Sequence, residues 1–243
     1  MSNKSHILIA SMPKSGSTFL RNVIGNLPEF KKYCLVPGFG GREQEIEESR
    51  ILSYKQINTE YFVSLQHVRR SDVLDEICSR HKIFRVVLCR NLRDVVFSLK
   101  DHIAAVGPHR FLARMHADYH TWEEHKKEEY IVDLMMPWYL NFFIGWMRCE
   151  DDYTKLIWYE DLMPDKVETI SSILKAAGHL DVTIENIIEA IDKKPEKINL
   201  ITSHRFNKGV SGRGRDLSEK ASERLLNLLS YYDLDNSTLK LLF

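Results

Sequence analysis

The sequence has no excess of charge. Lys plus Arg number 34 and Asp plus Glu number 34, so the formal net charge is zero. Without a global field, nucleic acid or an anionic membrane is not gathered at long range, and any anion must be held locally. Cysteine is scarce as well. Cys34, Cys78, Cys89 and Cys149 lie far apart, with no C-x-x-C pair. That argues against a disulfide framework or a thiolate zinc centre and for free thiols in a reducing compartment. Long apolar runs are missing too. Leu134 to Met147 extends about 14 residues and contains Asn141, too short and too mixed to span a bilayer. Strand-like residues follow Met1 to Lys4 at once, which leaves no room for a signal peptide. The expectation is a soluble, cytoplasmic protein with neither nucleic acid nor membrane as a partner.

What is present is ordinary for a globular protein. The chain has 243 residues, 44% hydrophobic and 28% charged, enough for one sizeable core and one domain over residues 1–243. "HILIAS" (His6 to Ser11) is a short apolar run of the buried parallel-strand type. A loop follows, and then Phe19, Val23 and Leu27 recur at helical spacing. Tyr61 to Gln66 reads as a second strand, and Ser71 to Ser79 as a helix with Ser71 at its N-cap. Ile83 to Arg90 is the clearest strand, followed by the amphipathic "LRDVVFSLKDHI". Lys155 to Tyr159 is a fourth strand and Lys166 to Ala177 the next helix; Ser218 to Tyr231 reads as a last one. Strands alternating with helices predict an α/β fold with a central parallel sheet and helices on both faces. Two stretches interrupt the rhythm. Pro37 to Tyr54 is glycine-rich and then acidic, and Gly107 to Tyr130 is polar and histidine-rich. Such excursions read as lid insertions.

The loop after the first strand, "MPKSGSTF", has the make-up of a phosphate cradle. Ser15, Gly16, Ser17 and Thr18 offer small side chains and open backbone at the start of a helix, and Lys14 adds a mobile cation. The nucleoside triphosphatase pattern G-x-x-x-x-G-K-[ST] is absent: no glycine opens the loop and no Lys-Ser/Thr follows Gly16. ATP hydrolysis is therefore disfavoured. The plain alternative is a Ser/Gly turn that caps a helix.

Further motifs follow in order. Arg90-Asn91-Leu92-Arg93-Asp94 leads to Ser98; Tyr159-Glu160-Asp161-Leu162 follows a later strand; Asn207-Lys208-Gly209-Val210-Ser211-Gly212 lies near the C-terminus. Together with Pro13-Lys14-Ser15-Gly16-Ser17-Thr18-Phe19-Leu20, they resemble the sulfotransferases that use 3′-phosphoadenosine 5′-phosphosulfate (PAPS) and release 3′-phosphoadenosine 5′-phosphate (PAP). The resemblance runs from residue 12 to residue 212 and implies the P-loop-like sulfotransferase architecture. It implies that Lys14, Ser15, Gly16, Ser17 and Thr18 hold the phosphosulfate, with Lys14 stabilising charge on the leaving oxygen. It assigns Arg90 and Ser98 to the 3′-phosphate, with Asn207, Lys208 and Gly209 folding over it. Phe19 stands where the family has tryptophan and is expected to stack on adenine, with Tyr159 lining the same pocket. Asn207 stands where the family has arginine; Arg205, Arg213 and Arg215 are the candidates to replace that charge. Bland uses remain open: an ion pair of Arg90 with Asp94, a Ser98 hydroxyl on its own backbone, and a core Tyr159.

Sulfuryl transfer resembles phosphoryl transfer, and the protein supplies mostly position and electrostatics. The acceptor hydroxyl or amine must lose a proton, and histidine suits that near neutral pH. The family often carries its base in K-T-H after the second strand. Here Leu65-Gln66-His67 occupies that place, so His67 is the candidate catalytic base, or else a strand-end histidine bonded to backbone. His102, one helical turn beyond Ser98, is the second candidate. His116 and His120 have the i, i+4 spacing of a metal pair but no third ligand at fixed spacing, and PAPS chemistry requires no metal. The two lids are expected to wall a small-molecule acceptor pocket, with Phe39, Phe111, Trp122, Trp138 and Phe142 as apolar liners or core residues. Two other functions stay open: a small-molecule or nucleotide kinase of the related P-loop fold, and a non-catalytic PAP-binding protein.

Overall fold

The computed structural model describes residues 4–37, 42, 44–106, 115–149, 151–193 and 212–243. They fall into two compact units. The first comprises Met1–Cys89 and Ile144–Glu196, and the second Arg90–Phe143 and Lys197–Phe243.

The first unit is built on a five-stranded sheet, β1 (His6–Ser11), β2 (Phe30–Lys32), β3 (Tyr61–Gln66), β4 (Ile83–Cys89) and β5 (Thr154–Trp158). The order is β2-β3-β1-β4-β5, and every pairing is parallel. β4 is buried along its whole length, as a central strand covered on both faces must be. On one face Ile7, Ile9, Val63, Val86 and Leu88 form the core with α1 (Ser17–Ile24), α6 (Tyr159–Leu162), α7 (Lys166–Ala176) and α8 (Ile184–Asp192). On the other, Phe62 meets Tyr54 of α2 (Glu48–Ile57) edge to face at 5.4 Å, and buried Arg85 pairs with Asp75 of α3 (Asp72–His81). Ser71 caps α3 by accepting the Leu74 N–H at 3.2 Å. The chain adds β2 and β3 on one side of β1 and then crosses to β4 on the other. This reversal puts the topological switch point at the C-terminal end of β1, where open α/β sheets bind ligands.

The second unit holds α4 (Leu92–Val106), most of α5 (Glu124–Met147), α9 (Glu219–Leu229), α10 (Asn236–Leu242) and two 3-10 turns, Ala117–Thr121 and Arg213–Asp216. Lys100 of α4 reaches Glu128 of α5 at 2.6 Å, and the other oxygen of Glu128 accepts the Ser218 N–H at 3.1 Å.

Several sequence expectations need correction. β2 is a fifth strand, invisible in the pattern because it is three residues long and its Lys31 and Lys32 are exposed. α2 and α5 occupy the later parts of the two stretches read as lids. Residues 38–41, 43 and 107–114 of those stretches, with Phe39 and Phe111, lie outside the described residues. β5 ends at Trp158, and Tyr159 opens a helix. The helix expected over Ser218 to Tyr231 is Glu219–Leu229 and is followed by another, α10. All four cysteines are free thiols. No helix among the described residues is long and apolar enough to cross a membrane.

Candidate active site

β1 ends at Ser11, and the backbone then curls. Met12 donates its N–H to the Leu88 carbonyl of β4 at 3.0 Å. The Ser15 hydroxyl, fully buried, donates back to the Met12 carbonyl at 2.6 Å and lies 3.3 Å from the Leu88 carbonyl. Its side chain is thus a staple inside the loop. Lys14 has φ +70° and Gly16 φ +83°, both left-handed. For lysine this conformation costs about 1–2 kcal/mol. Left-handed residues within such a loop make it concave and gather N–H groups around an anion. Gly16 is the N-cap of α1, and the first turn after it, with Ser17 and Thr18, contains no acidic residue. The positive end of the helix is therefore not offset by a local carboxylate.

The shape is supported from the start of α6. The ring of Tyr159, buried at 4% exposure, packs on Gly16. A β-carbon at Gly16 would come within 3.0 Å of it, so no larger residue fits without a shift. Tyr159 therefore makes a direct contact with the loop itself. Phe19 is partly buried against the core.

His67 follows β3. Its Nδ1 lies 2.8 Å from the Ser11 carbonyl oxygen and 3.3 Å from the Ser11 hydroxyl. A carbonyl can only accept, so Nδ1 carries the hydrogen and Nε2 is the basic nitrogen of the neutral ring. The next residue is also fixed: the Val68 carbonyl accepts the indole N–H of Trp146 at 3.1 Å. His67 and the loop carrying Lys14 thus share one anchor, Ser11. Sequence reasoning missed Ser11, because a contact through a backbone carbonyl leaves no trace in residue type.

The second unit contains the other predicted cluster. Arg90, Asp94 and Ser98 are all buried, at 6%, 3% and 6% exposure. The Arg90–Asp94 pair forms at 3.4 Å, but inside the protein rather than on its surface. Asp94 also accepts the N–H of Gly212 at 2.7 Å and that of Gly214 at 2.6 Å. Asn91 orients the start of α4 by accepting from Arg93 and Asp94 N–H at 3.1 and 3.3 Å. Arg213, a candidate replacement for the missing charge, pairs with Asp101 at 2.6 Å. Arg205, Asn207, Lys208 and Gly209 lie outside the described residues. The Arg90–Asp94 pair was among the sequence expectations, but the bonds from the turn to Asp94 and the need for Gly214 were not; the G-x-G spacing of Gly212 and Gly214 was their only signal.

The remaining candidates scatter. His116 caps its own 3-10 turn by accepting the Asp118 N–H at 3.1 Å and lies 5.2 Å from the Trp122 ring. Phe142 is fully buried and stacks with Trp138 at 5.4 Å.

A left-handed loop with a lysine, a helix start and a fixed histidine can hold an anionic group and take a proton from a nucleophile beside it. Comparison with known proteins bears on which anion. Residues 4–216 match the sulfotransferase domain family. No curated protein matches the sequence. Among solved structures, mouse sulfotransferase SULT7A1 complexed with PAP is similar, with a TM-score of 0.68 and 16% identity over 98% of this chain and 86% of that one. Retinol dehydratase in complex with androsterone and inactive cofactor PAP gives 0.59 and 15% over 96% and 83%. A sulfotransferase from Alicyclobacillus acidocaldarius gives 0.50 and 14% over 98% and 99%. At these identities the structures share the fold.

Proposed function

The chain belongs to the sulfotransferase domain family, whose chemistry is sulfuryl transfer, and on that premise we propose that it moves a sulfuryl group from PAPS to a hydroxyl or amine of a small molecule. One observation carries this reading. Ser11 opens the loop that bears Lys14 and also fixes the Nδ1 of His67 at 2.8 Å. An anion-holding loop and an oriented base hang from the same residue.

The donor set suits the cofactor. Two of the loop's residues are left-handed, a β-carbon on its glycine would crowd the Tyr159 ring, and its only charged side chain is a lysine. A bound PAPS would supply the sulfuryl group: its S–O bond to the 5′-phosphate would break as a new S–O bond to a hydroxyl, or S–N bond to an amine, forms, and PAP would leave. His67 takes the acceptor's proton at Nε2. The Lys14 ammonium stabilises the negative charge that grows on the departing phosphate oxygen. Loop N–H groups and the start of α1 orient that phosphate. Arg90 and Ser98 hold the 3′-phosphate, whose two-oxygen face matches a guanidinium fork. No step in this scheme needs a metal. The neighbours solved with androsterone or retinol alongside PAP favour a small, largely apolar acceptor. The four free thiols fit the reducing cytoplasm.

The test is turnover with radiolabelled PAPS against a panel of phenols, alcohols and amines, alongside melting with PAP, ADP and Mg-ATP. PAP at about 100 times its dissociation constant adds about 2.7 kcal/mol. A stabilisation by PAP that ADP does not reproduce, with transfer to at least one acceptor, is expected. Stabilisation by PAP without transfer to any acceptor points to a non-catalytic PAP-binding protein. Stabilisation by Mg-ATP alone overturns the reading.

A further inference from the structure

Asp94 is a buried carboxylate on which three donors converge. The N–H of Gly212 meets Oδ2 at 2.7 Å, the N–H of Gly214 meets Oδ1 at 2.6 Å, and the Arg90 guanidinium stands 3.4 Å from Oδ2. The first two distances are those of strong charge-assisted bonds, and the ion pair is longer than such bonds usually are. The carboxylate therefore grips the turn at 212–214 more tightly than it grips the arginine one helical turn before it.

The same turn is fastened to α4 at successive levels. A β-carbon at Gly214 would lie 2.4 Å from Cβ of Arg93 and 2.9 Å from the Asp94 nitrogen, so the backbones touch there and only glycine fits. Gly212 has φ +86°, a conformation that also favours glycine. Further along the helix, Arg213 lies over the Phe97 ring at 5.6 Å and pairs with Asp101 at 2.6 Å. Residues 93, 97 and 101 follow one face of α4. A buried charge that ties a glycine turn to a phosphate-type arginine costs more than a neutral link would.

We propose that Asp94 is a positioning residue for nucleotide selectivity: it locks Arg90 and the Gly212–Gly214 turn into the one arrangement that distinguishes a 3′-phosphorylated nucleotide from one without that phosphate. This rests on the PAPS reading above. Asn is the informative substitution. It keeps the shape of Asp94 but has one oxygen where three donors converge, and its NH₂ must face a donor.

The experiment measures dissociation constants for PAP and for AMP, which lacks only the 3′-phosphate, in wild type, Asp94→Asn and Gly214→Ala. Gly214→Ala disturbs the turn from the other side and keeps the guanidinium of Arg90 and the carboxylate of Asp94, so it decides the matter if Asp94→Asn does not fold. In each variant the preference for PAP over AMP should drop about tenfold or more, while AMP affinity stays within about twofold of wild type. An unchanged PAP-to-AMP ratio in the variants overturns the inference. So does an equal loss for both nucleotides, since a purely structural Asp94 would weaken them alike. If wild type itself shows no preference for PAP, the PAPS reading fails first, and this inference with it.

Discussion

The ring of Tyr159 rests on the backbone of Gly16, so close that a β-carbon there would lie 3.0 Å from Cδ2 and 3.1 Å from Cε2. Tyr159 stands where β5 gives way to α6, two strands from β1 in the sheet. The curl of the first loop is therefore set by packing as well as by its own sequence. Ser15 pins it from beneath through Met12 and Leu88, and Tyr159 covers it from the side.

Gly16→Ala should be costly for two separable reasons. The contact with Tyr159 must open, and alanine must adopt φ +83°. A loss of about 1–3 kcal/mol in urea unfolding is expected, with at least tenfold weaker PAP binding. Adding Tyr159→Ala removes the clash but not the backbone strain. The double variant should then lose less than the sum of the two single losses, and strict additivity would show that the ring does not constrain the loop.

Lys14 gives a stability–function contrast. Its φ of +70° is unfavourable for any residue with a β-carbon. Lys14→Ala keeps the strain and removes the cation, whereas Lys14→Gly removes both. Glycine should therefore be the more stable of the two by about 1 kcal/mol, although glycine usually destabilises. Both should lose sulfuryl transfer by orders of magnitude. If the alanine variant is as stable as the glycine variant, the left-handed backbone at this residue carries no strain.

The histidine hypothesis separates binding from chemistry. His67→Asn should bind PAP as wild type does, while kcat falls by about 10²–10⁴, the range of a lost general base. Asparagine can still donate toward the Ser11 carbonyl and so preserves the loop. An asparagine variant with wild-type kcat would pass the role to His102.

How far the sequence revealed this arrangement depended on what kind of force shapes each part. β1, β3 and β4 were legible because strands covered on both faces are mostly apolar, even though Ser64, Gln66 and Arg85 are buried among them. β2 was not: only Phe30 of its three residues is buried, and its lysines are the usual protection of a sheet edge. α2 lacks an apolar stripe, for Leu52 and Ile57 are exposed and only Ile51 and Tyr54 are buried. α8 has a capping box, but Asn186 stands where Glu or Gln makes the pattern recognisable. At the site, Lys14 stood out as the one cation in a loop of small residues, and His67 was singled out through the resemblance of Leu65-Gln66-His67 to the family's K-T-H. The Ser15 hydroxyl, the Ser11 carbonyl and the Asp94 carboxylate serve whichever partners folding brings near, and no local rule names those partners.

Acid should destabilise the sheet through two histidines of the first unit. Burial, with smaller repulsion from Lys55, His179 and His81, pushes His6 down to about 3. Its Nδ1 accepts the Phe62 N–H at 3.1 Å, a bond that protonation of that nitrogen would break. Burial also lowers His179, whose Nε2 donates to the Ser5 carbonyl at 2.8 Å. In the unfolded chain both titrate near 6.5. Between about 6.5 and about 3 the unfolded state therefore binds more protons than the folded one, and stability must fall as pH falls through that window. Allowing for solvent screening, a loss of about 1–3 kcal/mol between pH 7 and pH 4.5 is expected in urea titrations. His6→Asn, whose amide oxygen can accept the Phe62 N–H, should flatten part of that slope. The same slope in wild type and in the asparagine variant would mean that the imidazole at residue 6 contributes nothing to the acid response.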